Sequence, residues 1–158
     1  MSPLLLDALF SFLHFTALLV MAGALSAEAF ILRLPASGPQ IRLLQRVDAF
    51  YGGSSVVLIA AGVCRVLYGA KHWSYYVEEP FFWAKMGMFV LVGLLSIPPT
   101  IRFIGWARAL KTDAAFLPPE AQTKGVRRYV MIELHGLALI VVFAVLMARG
   151  YGQIWFGG

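Results

Sequence analysis

The chain is short of charge: Asp, Glu, Lys and Arg make up 13% of its 158 residues, about half the roughly 25% of an ordinary soluble domain. Hydrophobic residues reach 60%, against about 45–50% in soluble domains, so the polar residues are too few to cover a water-borne fold and lipid must solvate the excess. Cysteine is almost absent. Cys64 stands alone, which excludes an intramolecular disulfide, and its apolar neighbours make it a small core hydrophobe. There is no Gly-rich phosphate loop, no Ser-His-Asp arrangement and no metalloprotease helix motif, so hydrolytic chemistry is disfavoured. Basic residues are missing before the first apolar run, which continues to Leu32. That run is too long and wrongly flanked for a cleaved signal peptide and reads as retained.

What the chain does have is four apolar stretches, at about 4–32, 48–69, 81–106 and 128–147. About 20 apolar residues cross a hydrocarbon layer some 30 Å thick, so the length accommodates four crossings, short loops and no separate soluble domain. None of the stretches alternates with period two, which excludes barrel strands and favours helices. The expected fold is all-α: one multi-pass membrane four-helix bundle spanning 1–158. Punctuation bounds each stretch: Pro35, Gly38 and Pro39 after the first, Gly69 and Lys71 after the second, 111–119 after the third and Arg149-Gly150 after the fourth. Pro98-Pro99 inside the third predicts a kink.

Nine Lys and Arg fall in the segments 33–46 and 102–128, in and beside the first and third connections, against four on the other side (Arg65, Lys71, Lys85 and Arg149), where Glu78 and Glu79 partly offset them. Basic loops stay in the cytoplasm, so both termini are expected on the non-cytoplasmic side. The net charge of +5 is thereby explained by orientation, and no nucleic-acid partner is expected. Trp73, Tyr75, Tyr76, Phe81, Phe82 and Trp83, with Tyr151, Trp155 and Phe156, fit an interfacial aromatic belt. Small residues, among them Gly52, Gly53, Gly62, Gly87, Gly93 and Gly136, would let helices approach closely.

Ionisable groups inside hydrocarbon cost a few kcal/mol each and are functional candidates. Counted from the basic end of each span, His14, Arg65 and Lys85 lie at one height, about 25–28 Å up on three helices. Glu28, Glu133 and His135 lie about 8–10 Å up, with Asp48 and Tyr51 nearby. His14 and Glu28 share one stripe of the first helix, whereas Glu133 and His135 differ by about 200° and cannot both face inward. Structural roles compete: Arg65 and Lys85 can snorkel to headgroups, and Glu28, Asp48 and Glu133 can pair with Arg102, Arg127 or Arg128. His72 reads as a solvated loop side chain. His14 and His135 differ in height by about 18 Å and cannot clip one porphyrin. Haem on His14 alone stays open, with Arg65 or Lys85 toward a propionate or Lys85 toward the metal. Met86 and Met88 lack the repeated sulfur spacing that copper would need.

The patterns Leu13-His14-Phe15 with Glu28, Asp48-Ala49-Phe50-Tyr51-Gly52, Gly62-Val63-Cys64-Arg65, Phe82-Trp83-Ala84-Lys85-Met86 and Glu133-Leu134-His135-Gly136 resemble a bacterial family of predicted membrane proteins, domain of unknown function 2214, over nearly the whole chain. The resemblance implies the bacterial cell inner membrane. More distantly, His14 and Trp83-Ala84-Lys85 are similar to the four-helix membrane protoporphyrinogen oxidase and to copper-resistance D membrane domains. In that oxidase the matching histidine and lysine are associated with haem b and activity. Glu28, His135 and Tyr51-Gly52-Gly53 depart from its pattern.

The leading expectation is a haem-b-binding or redox-related membrane protein. His14 is the metal ligand, Arg65 and Lys85 complete the cofactor site, and Lys85, Glu28 and Glu133 form the catalytic set, the carboxylates acting as a proton path. The alternatives are a proton or small-ion carrier built on Glu28, Asp48 and Glu133, or an accessory subunit of a membrane complex. Partners are the lipid bilayer and either a second copy or such a complex.

Overall fold

The computed structural model describes residues 3–69 and 71–156. Four long helices, α1 (Pro3–Ile31), α2 (Gly38–Tyr68), α4 (Pro80–Thr112) and α5 (Glu120–Ala148), are each long and apolar enough to cross a membrane. Two short ones accompany them: α3 (Trp73–Val77) lies in the second connection, and α6 (Tyr151–Phe156) follows α5. No strand occurs among the described residues.

The long helices outrun the apolar stretches at one end of the bundle, here called the basic end. Gly38 and Pro39, which read as loop punctuation, are the first turn of α2. Proline suits that position because its missing N–H would have no partner there. Ser37 caps the helix: its hydroxyl accepts from Gln40 N–H at 3.3 Å, and the Gln40 side chain accepts from Ser37 N–H at 3.1 Å. Gln40 also donates to the carbonyls of Ile31 at 2.6 Å and Leu34 at 3.0 Å, tying the end of α1 to the start of α2. At the other, aromatic end, Gly150 adopts φ +72°, the left-handed closure that glycine permits, and redirects the chain into α6.

α1 packs most closely on α2, and α4 on α5. These hairpins meet along α2–α4 and α1–α5, leaving α1 opposite α4. Gly136 lies against Val92 of α4, and Gly62 against His14 of α1. Gly52, Gly53, Gly87 and Gly93, also expected to seat helices, have open space around them. α4 passes through Pro98 and Pro99 as one continuous helix.

The core is weighted toward the basic end and leaves the aromatic ends of the long helices unpacked. Phe103, Val130, Leu25, Met21, Ile41, Leu44 and Val92 are all at most 2% exposed. Toward the aromatic end, no described residue of the long helices beyond Ala17, Ala61, Val92 or Ile140 is buried. There the contacts are aromatic: Phe81 rests on Phe143, Trp155 and Phe156 at 5.8–6.3 Å between ring centres, and Tyr75 donates to the carbonyl of Met147. Around the bundle, Phe12, Leu19, Phe30, Phe50, Val56 and Val90 are exposed, a surface that water would not tolerate and lipid solvates.

Candidate functional site

All four long helices contribute a polar side chain to one layer within the packed half. Helix α1 supplies Glu28, and α2 supplies Asp48 and Tyr51, one turn apart. Helix α4 supplies Ser96 and Thr100, also one turn apart, and α5 supplies Glu133. Glu28 is 2% exposed, Glu133 1%, Tyr51 5% and Asp48 8%. Thr100 donates to Asp48 at 2.7 Å across the α2–α4 seam, and the Tyr51 hydroxyl stands beside the Glu133 carboxyl and the Ser96 hydroxyl. Glu28 is near enough to Asp48 and Glu133 for like charges to repel. One oxygen of Glu28 and one of Glu133 have no hydrogen-bond partner.

No cation answers this negative layer. Among the described residues the one ion pair is Lys124–Glu120, exposed on the first turns of α5. Arg102 and Arg128 are exposed, Arg127 is half-buried, and none of them pairs with the carboxyls. The fastening role weighed above is therefore not realised. Apolar side chains close the layer along every helix, with Met21, Leu58, Val92 and Leu137 toward the aromatic end and Ile31, Ile41, Leu44, Phe103 and Val130 toward the basic end. Ionised carboxylates in such surroundings are costly unless paired, so the layer must be neutralised by protons or by a cation. Among the described residues no three His, Cys, Asp or Glu are disposed to hold a metal ion.

The second layer lies one to two turns beyond the packed core. His14 Nδ1 is 3.0 Å from the Leu58 carbonyl. A carbonyl only accepts, so Nδ1 is the donor and, in the neutral ring, Nε2 keeps its lone pair. Arg65 and Lys85 are close enough for their charges to act on His14 and on each other. The Arg65 guanidinium lies over the Phe15 ring, 5.5 Å from its centre, and its Nε is buried without a partner. Lys85 Nζ has Met147 Sδ at 4.0 Å and the Phe82 ring at 5.3 Å.

His14, Arg65 and Lys85 thus form one group and Glu28 and Glu133 another, with the apolar core between them. Lys85 does not join the carboxyls. His135 is exposed, its Nδ1 on the Met131 carbonyl of its own helix. His72 caps α3. Two kinds of site residue escaped the sequence reading. Ser96 and Thr100 flank the proline pair at helical spacing, a signal that was available. Glu79, read as offsetting nearby basic charge, is 0% exposed, and neither of its carboxylate oxygens has a partner. It is roofed by Gly152 of α6, a fold-back that local sequence does not announce.

No curated protein and no solved structure matches the chain, so the more distant likeness to the oxidase and the copper-resistance domains has no support. One family does match, over residues 6–152, covering all four long helices and both polar layers. The chain belongs to that family, described as predicted membrane protein (DUF2214).

Proposed function

We propose that the carboxyl layer is a proton-binding site and that the protein carries protons or small ions across the inner membrane of a bacterial cell. The observation that supports this is the pair of buried carboxyls, Glu28 and Glu133, each with an unpartnered oxygen and no cation in reach. Such groups inside a membrane mark proton relays and ion paths. Each carboxyl can accept a proton on a free oxygen, and the Tyr51 and Thr100 hydroxyls offer the next positions for it. The apolar closures at both ends keep this store from exchanging freely, so release requires movement of a helix. In proteoliposomes carrying an interior pH dye and a potassium diffusion potential, wild-type protein acidifies or alkalinises the lumen with the sign of the potential. Glu28→Gln and Glu133→Gln slow that response at least about tenfold, equivalent to 1.4 kcal/mol in the barrier. Wild-type flux in Glu28→Gln would remove the proposal.

A second reading has its own observation, the carbonyl-fixed tautomer of His14, which leaves Nε2 free in the manner of a metal-ligating histidine. The residues fit haem b in this respect: His14 would ligate the iron, and Arg65 and Lys85 would meet the propionates. A bound haem would supply one-electron chemistry. His14→Ala should abolish a Soret band that the wild type shows after haem-replete expression, and a wild type without that band sinks this reading.

A further inference from the structure

At the basic end, where α2 and α4 run beyond the apolar stretches, Arg42, Gln45 and Arg46 of α2 face Ala107, Leu110 and Lys111 of α4 across a cleft of about 180 Å³. Three cations line it and no acid does. None of the three forms an ion pair among the described residues. The acids nearest in sequence are committed elsewhere: Asp48, two residues from Arg46, is buried and accepts from Thr100, and Asp113, two residues from Lys111, accepts from the backbone of Ala115. Immediately deeper along α2 lies a second, shallow cleft that is largely open to the surface and lined by Arg46, Ala49 and Phe50, all exposed. Arg46 belongs to both. Phe50 is exposed to the surrounding lipid.

A basic recess at the end of an apolar stretch, joined by one arginine to an apolar recess further in, has the outline of a phospholipid. We propose that this seam binds an anionic phospholipid, its phosphate head among Arg42, Arg46 and Lys111 and an acyl chain along Ala49 and Phe50. Basic pockets between membrane helices on the cytoplasmic side take such headgroups, each Lys or Arg near the surface contributing to the attraction. Arginine offers phosphate two parallel donors. The site is independent of the carboxyl-layer reading, although the same α2–α4 seam holds the Asp48–Thr100 bond.

The test uses full-length protein in vesicles of equal phosphatidylglycerol and phosphatidylcholine, extracted in mild detergent and weighed by native mass spectrometry. The wild type retains phosphatidylglycerol over phosphatidylcholine. The Arg42→Gln, Arg46→Gln, Lys111→Gln triple variant retains it roughly 10- to 100-fold less, whereas Lys71→Gln with Arg149→Gln, exposed at the opposite end, retains it as the wild type does. Ala49→Trp fills the second cleft without altering charge and also lowers retention. Equal retention of the two lipids, or undiminished retention in the triple variant or in Ala49→Trp, overturns the proposal. So does displacement of the lipid by inorganic phosphate alone, which would make this a site for a free anion. Circular dichroism verifies folding of every variant, and Arg46→Gln alone, which touches both clefts, replaces the triple variant if that fails to insert.

Discussion

A methyl group on Gly136 would stand 2.6 Å from Val92 Cγ2, and Val92 is itself 1% exposed with nowhere to move. Gly136→Ala is therefore expected to push α5 from α4 and cost about 1–3 kcal/mol, lowering the thermal unfolding midpoint in detergent. Gly87→Ala, where nothing lies within 4 Å, does not lower the midpoint, since alanine suits a helix interior better than glycine. Gly152 is a parallel case at the aromatic end, because a methyl there falls on the Glu79 carboxyl. Gly152→Ala should lift α6 and expose Trp155 further, raising the quenching of its fluorescence by acrylamide relative to Gly125→Ala. The two polar layers were legible at this scale because an ionisable residue in an apolar stretch is conspicuous. Glu79 was not, since beside Glu78 among loop aromatics it looks like ordinary surface charge. Its burial depends on a segment more than 70 residues later in the chain.

The turn between α1 and α2 carries the reciprocal Ser37–Gln40 cap and the two Gln40 bonds to α1. Ser37→Ala removes one capping bond and should cost about 1 kcal/mol. Gln40→Leu removes that cap's return bond and both side-chain bonds to the Ile31 and Leu34 carbonyls, leaving Ile31 only its bond from Leu34 N–H, so its unfolding midpoint should fall further than that of Ser37→Ala. Equal midpoints for the two variants would show that the Leu34 carbonyl finds another partner. Helix existence and order were readable from apolar length alone. The early start of α2 was obscured because Gly38-Pro39 suits both a loop and a first helical turn, and only the capping residues at 37 and 40 separate the two.

Across the whole molecule, basic residues gather at one end and aromatic rings at the other, the distribution expected of a protein held between cytoplasm and outer interface. A reporter active only outside the cytoplasm should work when fused after residue 156 and fail when inserted at 114–117. The opposite pattern would invert the orientation. The pairing of α1 with α2 and α4 with α5 follows from short connections between neighbours, but the placement of the core was not legible. A helix apolar on every side gives no indication of which half packs and which half opens. Helix α4 adds a mechanical consequence. Pro98 and Pro99 cannot donate to the carbonyls of Leu94 and Leu95, so two rungs of the ladder are missing beside Ser96 and Thr100. A rod weakened there is jointed at the height of Asp48 and Glu133, and swivelling about that joint would part the Thr100–Asp48 clasp while the tightly seated Gly136–Val92 contact serves as the fulcrum.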